Sequence, residues 1–255
     1  MAEGVLLLDV GNSRIKWAWW QKENIPGADD VQHADSLSPD VLSKIELPQT
    51  PDKILASCVA GGEVRQNLQQ WAGGRWQRRI EFLTSPASAQ GIVNGYAEPE
   101  RLGSDRWAAI VAARQDYRGY LCIVDAGSAL TLDLLRPDGQ HLGGYILPGI
   151  KHSTECVLAT TGIELPAEEI VAPDSRKPGN STSGCLASGA LHMACSVVEN
   201  TVAQLEDKVK QQVQCILTGG DSGSLSSGLT LPHVIEPALV IKGLAYIVQN
   251  SGETP

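Results

Sequence analysis

The sequence contains two widely separated turns that could each hold phosphate oxygens. Asp9-Val10-Gly11 follows the apolar residues 5–8, and Asp125-Ala126-Gly127 follows the apolar residues 121–124. In a turn between strands, glycine exposes backbone N–H groups that bind anions, and an aspartate beside them can hold a hydrated cation. One such turn alone is ordinary turn chemistry. Two copies, together with a third glycine turn at Thr218-Gly219-Gly220-Asp221, favour a phosphate site.

A second candidate for chemistry is Gly103-Ser104-Asp105-Arg106, which opens an apolar helix. In the functional interpretation, Asp105 accepts a proton from a substrate hydroxyl and Arg106 pairs with a substrate carboxylate through two parallel hydrogen bonds. In the structural interpretation, Ser104 caps the helix and Asp105 interacts with the helix dipole. The sequence leaves both interpretations open.

Other nucleotide sites are excluded by what the sequence lacks. There is no Gly-Lys dipeptide and no Gly-x-Gly, so neither a P-loop nor a Rossmann or protein-kinase glycine loop is present.

The five histidines lack metal-ligand spacing, and the six cysteines form no Cys-x-x-Cys pair. A net charge of −9 argues against a nucleic-acid or anionic-membrane surface. Without a leader or a long apolar segment, we expect a cytoplasmic protein.

The hydrophobic pattern predicts the elements that position these residues. A strand at 5–8, the turn and a polar–apolar alternation at 14–19 form a hairpin, which 121–124 and 129–135 repeat. Further strands are predicted at 53–59, 80–83, 143–146 and 215–217, and helices at 63–71, 104–114, 183–210 and 238–249. The repeat implies a duplicated α/β unit with a cleft between two halves, which we place at 1–117 and 118–255.

Gly143-Gly144 and Pro148-Gly149 follow the Asp125 turn and precede Thr218. With these two pairs included, the order of the motifs resembles that of the type III pantothenate kinase family, which also includes the Bvg accessory factor. The resemblance implies two ribonuclease-H-like halves of the actin, Hsp70 and sugar kinase fold, with ATP in the cleft. It implies ATP-dependent phosphorylation of pantothenate to 4′-phosphopantothenate, the first step of coenzyme A synthesis.

The resemblance also implies roles for individual residues. Asp105 matches the proposed general base, and Asp125 matches the ligand of a monovalent cation, potassium or ammonium, with magnesium carried by ATP. The positions that match ATP contacts are Asp9, Val10, Gly11, Asn12, Ser13, Arg14, Ile15, Lys16, Ser128, Gly219 and Gly220. The positions that match substrate contacts are Tyr96, Gly103, Ser104, Asp105, Arg106 and Thr182. Without the resemblance, Tyr96 is equally well a half-buried loop aromatic and Thr182 a helix N-cap.

Family members pair through their second halves, so the resemblance implies a homodimer in which Thr182 reaches the neighbouring site. The segment 183–210 also carries more apolar and small residues than one buried face of a lone helix requires, which favours an interface there. Two alternatives to the kinase are a phosphohydrolase on the same fold and a nucleotide-binding regulatory protein. Arg106 and Tyr96 favour a carboxylated acceptor over water, and a protein that only binds nucleotide has no need of a base at Asp105.

Overall fold

The structure is a computed structural model that describes residues 4–21, 32–34, 42–165 and 176–251. Within these residues, no helix is both long enough and apolar enough to cross a membrane.

The first sheet contains five strands in the order β3-β2-β1-β4-β5. Its strands are β1 (Gly4–Val10), β2 (Ile15–Gln21), β3 (Gln32–Ala34), β4 (Lys53–Cys58) and β5 (Ile80–Phe82). β2 lies antiparallel to β1 and β3, whereas β4 lies parallel to β1 and β5. β1 is buried on both faces, as expected of the central strand of a sheet. A separate two-stranded ladder consists of β6 (Ser88–Ala89) and β7 (Ile92–Val93).

The second sheet repeats the first, in the order β10-β9-β8-β11-β12. Its strands are β8 (Tyr120–Ala126), β9 (Ala129–Leu135), β10 (His141–Pro148), β11 (Val213–Thr218) and β12 (His233–Ile235). β8 and β9 are antiparallel, and β11 is parallel to both β8 and β12. The predicted repeat of a strand, a turn and a second strand is therefore confirmed, and it extends to the whole strand order.

The helices are α1 (Gly62–Trp76), α2 (Ser104–Asp116), α3 (Ile150–Thr160), α4 (Thr182–Val209), α5 (Ser222–Gly228) and α6 (Leu239–Ser251). The predicted helices at 63–71, 104–114 and 238–249 are confirmed. The region 183–210 forms one continuous helix of 28 residues instead of several. α3 was not predicted; it is a short helix that buries only Ile150 and Thr154.

By their contacts, the described residues group into two compact units. The first unit contains the residues up to Tyr117, the segment Asp138–His141 and the residues from Ala238 onward. The second unit contains Arg118–Pro137 and Leu142–Pro237. This grouping places α6 with the first unit, whereas the predicted halves place it in 118–255. The predicted division into functional halves stays a prediction.

α6 packs directly on α2 inside the first unit. A Cβ atom added at Gly243 would lie 1.9 Å from the backbone oxygen of Ala108, so the two helices meet where no side chain fits. At the end of α2, Asp116 accepts a hydrogen bond from the Tyr246 hydroxyl and pairs with Lys242 at 2.7 Å. The face of α2 that the sequence marked as apolar is thus covered by the last helix.

Candidate active site

In the first unit, the carboxyl ends of β1 and β4 bring two of the predicted site segments together. Asp9 near the end of β1 is paired in register with Ser57 of β4. The buried hydroxyl of Ser57 lies 2.9 Å from the hydroxyl of Ser104, the first residue of α2. The turn at Asp9-Val10-Gly11, here called the first phosphate turn for its predicted role, therefore lies at the same edge of this sheet as the start of α2 with Asp105.

The start of α2 fixes the Asp105 carboxylate. Asp105 Oδ1 accepts a hydrogen bond of 2.7 Å from the backbone N–H of Arg106. A Cβ on Gly103 would lie 2.5 Å from this same oxygen, so a side chain at position 103 would displace the carboxylate. Gly103 is also the N-cap residue, and the interpretation of Ser104 as the cap is wrong, because Ser104 lies inside the helix and its hydroxyl contacts Ser57. Asp105 remains in the first turn, where the helix dipole favours its negative charge.

Arg106, the residue after Asp105, is in direct contact with Tyr96. Arg106 is buried, and its Nη1 donates a hydrogen bond of 2.7 Å to the Tyr96 hydroxyl. The guanidinium carbon also lies 5.5 Å from the centroid of the tyrosine ring. Asn94 supports this loop, since its Oδ1 accepts the Tyr96 N–H and its Nδ2 donates to the carbonyls of Pro86 and Pro99. Tyr96 is therefore held by specific contacts, and Arg106 is one of them.

His141 is a member of this group that the sequence did not reveal. Its ring stacks on Tyr96, with 6.2 Å between the centroids and 15° between the planes. No local pattern could have indicated it, because residues 45 positions apart meet only through the tertiary fold.

The first phosphate turn is closed by a hydrogen bond of 3.0 Å from the Gly11 N–H to the Arg14 carbonyl. Asn12, Ser13 and Arg14 are exposed, whereas Val10 and Ile15 are buried in the sheet. Lys16 is half-buried on β2, where it is paired with Asp9. A ligand at this turn can thus contact side chains of 12–14, but only the backbone of Val10 and Ile15.

Cys58, the last residue of β4, also lies at this sheet edge. Burial raises the pKa of the Cys58 thiol, the Asp9 carboxylate raises it further, and Arg65 and a hydrogen bond to Ala60 oppose the rise only in part. Because a protonated thiol is neither a nucleophile nor a good metal ligand, Cys58 is a structural residue.

In the second unit, the ends of β8 and β11 bring Asp125 and the glycine turn together. Asp125 is paired in register with Thr218. A Cβ on Gly219 would lie 2.4 Å from Asp125 Oδ1 and 2.4 Å from the Ala126 oxygen, and Gly219 has a φ of +92°. The N–H of Asp221 donates to the same Ala126 oxygen at 2.8 Å. The predicted second phosphate turn and the predicted adenosine motif therefore form one compact surface.

The hydroxyl of Thr218 has unused hydrogen-bonding capacity at this surface. Its Oγ1 is buried and has no hydrogen-bond partner among the described residues. A buried hydroxyl without a partner is destabilising, so this hydroxyl, on the residue paired in register with Asp125, fits a site that a ligand completes.

The remaining predicted residues of the second unit are exposed. Ser128 is exposed, and its carbonyl accepts a hydrogen bond of 3.0 Å from the Gly149 N–H. Gly220 is exposed in the glycine turn. Thr182 is the exposed first residue of α4, and the interpretation of Thr182 as the N-cap is wrong, because Ser181 is the cap and accepts the Gly184 N–H. Thr182 belongs to the second unit, whereas the other predicted substrate contacts belong to the first.

Comparison with known proteins identifies the family. The family model described as type III pantothenate kinase matches residues 5–204 of the chain. The chain belongs to the type III pantothenate kinase family. The type III pantothenate kinase of Nitrosococcus oceani is 34% identical over 257 residues, covering 98% of this chain and 95% of its own. That of Burkholderia thailandensis is 34% identical over 261 residues, covering 96% and 98%.

Solved structures share the fold of this chain. A structure assigned to the Baf family of transcriptional activators, from Campylobacter jejuni, is 20% identical with a TM-score of 0.63, covering 98% of this chain and 100% of its own. The activator of 2-hydroxyisocaproyl-CoA dehydratase from Clostridium difficile, solved with bound ADPNP, is 9% identical with a TM-score of 0.52, covering 98% and 96%. At these identities the likeness concerns the fold alone.

The predictions of the family, of a duplicated α/β fold, and of a pantothenate kinase in coenzyme A synthesis are confirmed. The family uses ATP, and the roles of individual residues stay predictions.

Proposed function

We propose that the first unit binds pantothenate and that Asp105 is the general base. The observation that carries this proposal is the fixed Asp105 carboxylate at the same sheet edge as the first phosphate turn. Asp105 accepts the proton of the primary alcohol of pantothenate while the oxygen of that alcohol bonds to the γ-phosphorus of ATP. The bond between that phosphorus and the β,γ-bridging oxygen breaks, and ADP leaves. Phosphoryl transfer depends mainly on positioning and on charge neutralisation, which rigid groups supply.

Arg106 and Tyr96 bind the carboxylate of pantothenate in this proposal. A guanidinium has five N–H donors, so Arg106 can donate to the Tyr96 hydroxyl and to a carboxylate at once. The Tyr96 hydroxyl accepts from Arg106 at 2.7 Å, which leaves its own hydrogen for a ligand oxygen. Because Arg106 is buried, an anion beside it is weakly screened by water.

In the second unit, the glycine turns at Gly127 and Gly219 bind phosphate and adenosine groups of Mg-ATP, and Asp125 holds potassium or ammonium. The Thr218 hydroxyl is buried, has no partner among the described residues and belongs to the residue paired in register with Asp125, so it is a candidate neutral oxygen ligand for this ion. The described residues contain no group of three or more His, Cys, Asp or Glu side chains that could hold a metal ion, so neutral oxygens must complete the site. When bound, the cation supplies positive charge beside the phosphates.

We expect potassium or ammonium to raise the rate of ADP release in the presence of pantothenate and ATP, and sodium to leave it low. In Asp125→Asn this stimulation is expected to be lost, because the amide removes the negative charge that holds the ion. A coupled ADP-release assay measures the rates, and the shift of the melting temperature on adding potassium measures binding separately from turnover. Equal rates and equal melting temperatures in all three salts would contradict the cation site.

We further propose a homodimer formed through the second unit. β10 is the edge strand of its sheet and exposes Tyr145 at 50% and Ile146 at 65%. Val157 of α3 and Met193 of α4 are exposed apolar side chains of the same unit. Adjacent large apolar side chains at an open sheet edge favour association, and a two-fold pair is the commonest closed form. In the proposed dimer, Thr182 of each subunit contacts pantothenate in the neighbouring site.

Mixing Asp105→Asn and Thr182→Arg subunits is expected to restore part of the activity that each variant lacks alone. One of the two sites in such a heterodimer combines an intact Asp105 with an intact Thr182. Light scattering establishes the oligomeric state, and each variant mixed with itself is the control. A fully active monomer, or no rescue in demonstrated heterodimers, would contradict the shared site.

We also place the reaction in the cytoplasm. All six cysteines are free thiols, and Cys156 and Cys185 are exposed. Exposed free thiols are typical of a reducing compartment.

A further inference from the structure

His141 lies at an unusual place in the chain. It is the first residue of β10, and only 1% of it is exposed. β9 and the rest of β10 belong to the second unit, but the turn Asp138–His141 groups with the first. The hairpin that starts at the second phosphate turn therefore contributes its tip to the unit that carries Asp105.

The turn is locked onto the ladder that precedes Tyr96. The Val93 N–H donates to the Gly139 carbonyl at 3.0 Å, and Val93 pairs with Gln140 as a parallel bridge. Gly139 has a φ of +87°, and a Cβ there would lie 1.9 Å from the Gly91 oxygen. Because the backbones approach this closely, the position of the His141 ring is set by the backbone of the turn.

His141 contacts both the backbone and the ring of the Tyr96 loop. Its Nδ1 accepts a hydrogen bond of 3.3 Å from the Gly95 N–H. Its ring stacks on Tyr96, whose hydroxyl in turn accepts from Arg106. A continuous set of contacts thus runs from the hairpin tip through Tyr96 to the guanidinium.

We propose that His141 is a positioning residue for the acceptor site: it fixes the Tyr96 ring and, through the Tyr96 hydroxyl, the Arg106 guanidinium that receives the substrate carboxylate. The inference rests on the proposed role of Arg106 and Tyr96. Residues 94–98 form no helix or strand, so Tyr96 has little regular backbone structure to orient it. Arg106 has a long side chain with many rotamers, and fixing it before substrate binds lowers the entropic cost of binding.

Removal of His141 is expected to act on the acceptor and not on ATP. In His141→Ala, the KM for pantothenate is expected to rise about 10- to 100-fold, in line with a misplacement of about 1 Å in a binding group. The KM for ATP and the affinity for ATP in calorimetry are expected to stay within a few-fold of the parent. His141→Asn keeps an acceptor for the Gly95 N–H at Oδ1, and we expect it to recover part of the loss.

A double-mutant cycle separates positioning from packing. If His141 acts through Tyr96, the KM for pantothenate in the double variant Tyr96→Ala, His141→Ala is expected to equal that of Tyr96→Ala alone. If the two losses multiply, His141 acts independently of Tyr96 and the inference is wrong. If His141→Ala does not fold, His141→Asn takes its place in the cycle with the same two outcomes.

The matched control is His233→Phe. His233 is a half-buried histidine of the second unit that bonds the Ser226 hydroxyl and the Leu231 carbonyl, and its loss is expected to leave the KM for pantothenate unchanged. An equal rise in both KM values in His141→Ala would mean general destabilisation and would overturn the inference. If Tyr96→Ala itself leaves the KM for pantothenate unchanged, the proposed acceptor site fails first. If only the His141 variants leave it unchanged, the inference fails and the acceptor site stands.

Discussion

Asp105→Asn is expected to lower kcat by about two to four orders of magnitude, the usual contribution of a positioned general base. The amide keeps an oxygen that can accept the Arg106 N–H, so the start of α2 is expected to be unchanged. It cannot take a proton from the alcohol, so the chemical step slows while ATP still binds. Single-turnover ADP formation measures the step, and calorimetry measures ATP affinity.

The control for this substitution is Asp116→Asn at the opposite end of α2. Asp116 bonds Tyr246 and Lys242, so its substitution is expected to lower the melting temperature and to leave kcat near that of the parent. If Asp105→Asn turned over within a few-fold of the parent, Asp105 would be only a residue of the helix start and the base would have to be sought elsewhere.

Gly219→Ala is expected to weaken ATP binding by about 100-fold, the scale of a misplacement of about 1 Å in a binding group. The residue has a φ of +92°, which an alanine adopts only with strain. Its Cβ would also lie 2.4 Å from both Asp125 Oδ1 and the Ala126 oxygen. The turn must therefore move away from β8, which separates the two parts of the proposed ATP and cation site. Calorimetric titration with Mg-ATP in potassium measures the effect.

Gly223→Ala is the matched control in the same region. No heavy atom lies within 4 Å of a Cβ at Gly223, which is exposed in α5, so this variant is expected to bind ATP like the parent. Native ATP affinity in Gly219→Ala would mean that the turn is not part of the nucleotide site.

The sequence predicted the elements whose information is local. The two hairpins were found because an apolar strand, a glycine turn and a second strand are adjacent in sequence. α2 was found because its apolar run is long and follows Ser104 and Asp105, residue types that favour a helix start. The three-residue strands β3 and β12 were not predicted, whereas β5, which has the same length, was. Strands this short show no period, and the neighbouring strands determine their pairing.

The site shows the same division between local and long-range information. The prediction of a turn at Asp125 required only the residues around it, but the contact between Asp125 and Gly219 depends on the pairing of β8 with β11. Ser104 has the side chain of a good N-cap, and local rules favoured that role. The hydroxyl of Ser57, 47 positions earlier, bonds it instead. His141 was missed for the same reason.

The packing of α6 on α2 has a consequence for synthesis on the ribosome. The apolar side chains and alanines of α2 are translated more than a hundred residues before α6, the last described helix, which covers them and also contacts β1. Until α6 emerges, the side of α2 that α6 covers in the folded unit has no such cover, and transiently exposed apolar surface of this kind favours aggregation. The first unit therefore completes its core only when nearly the whole described chain has left the ribosome, although its sheet is the first to be made.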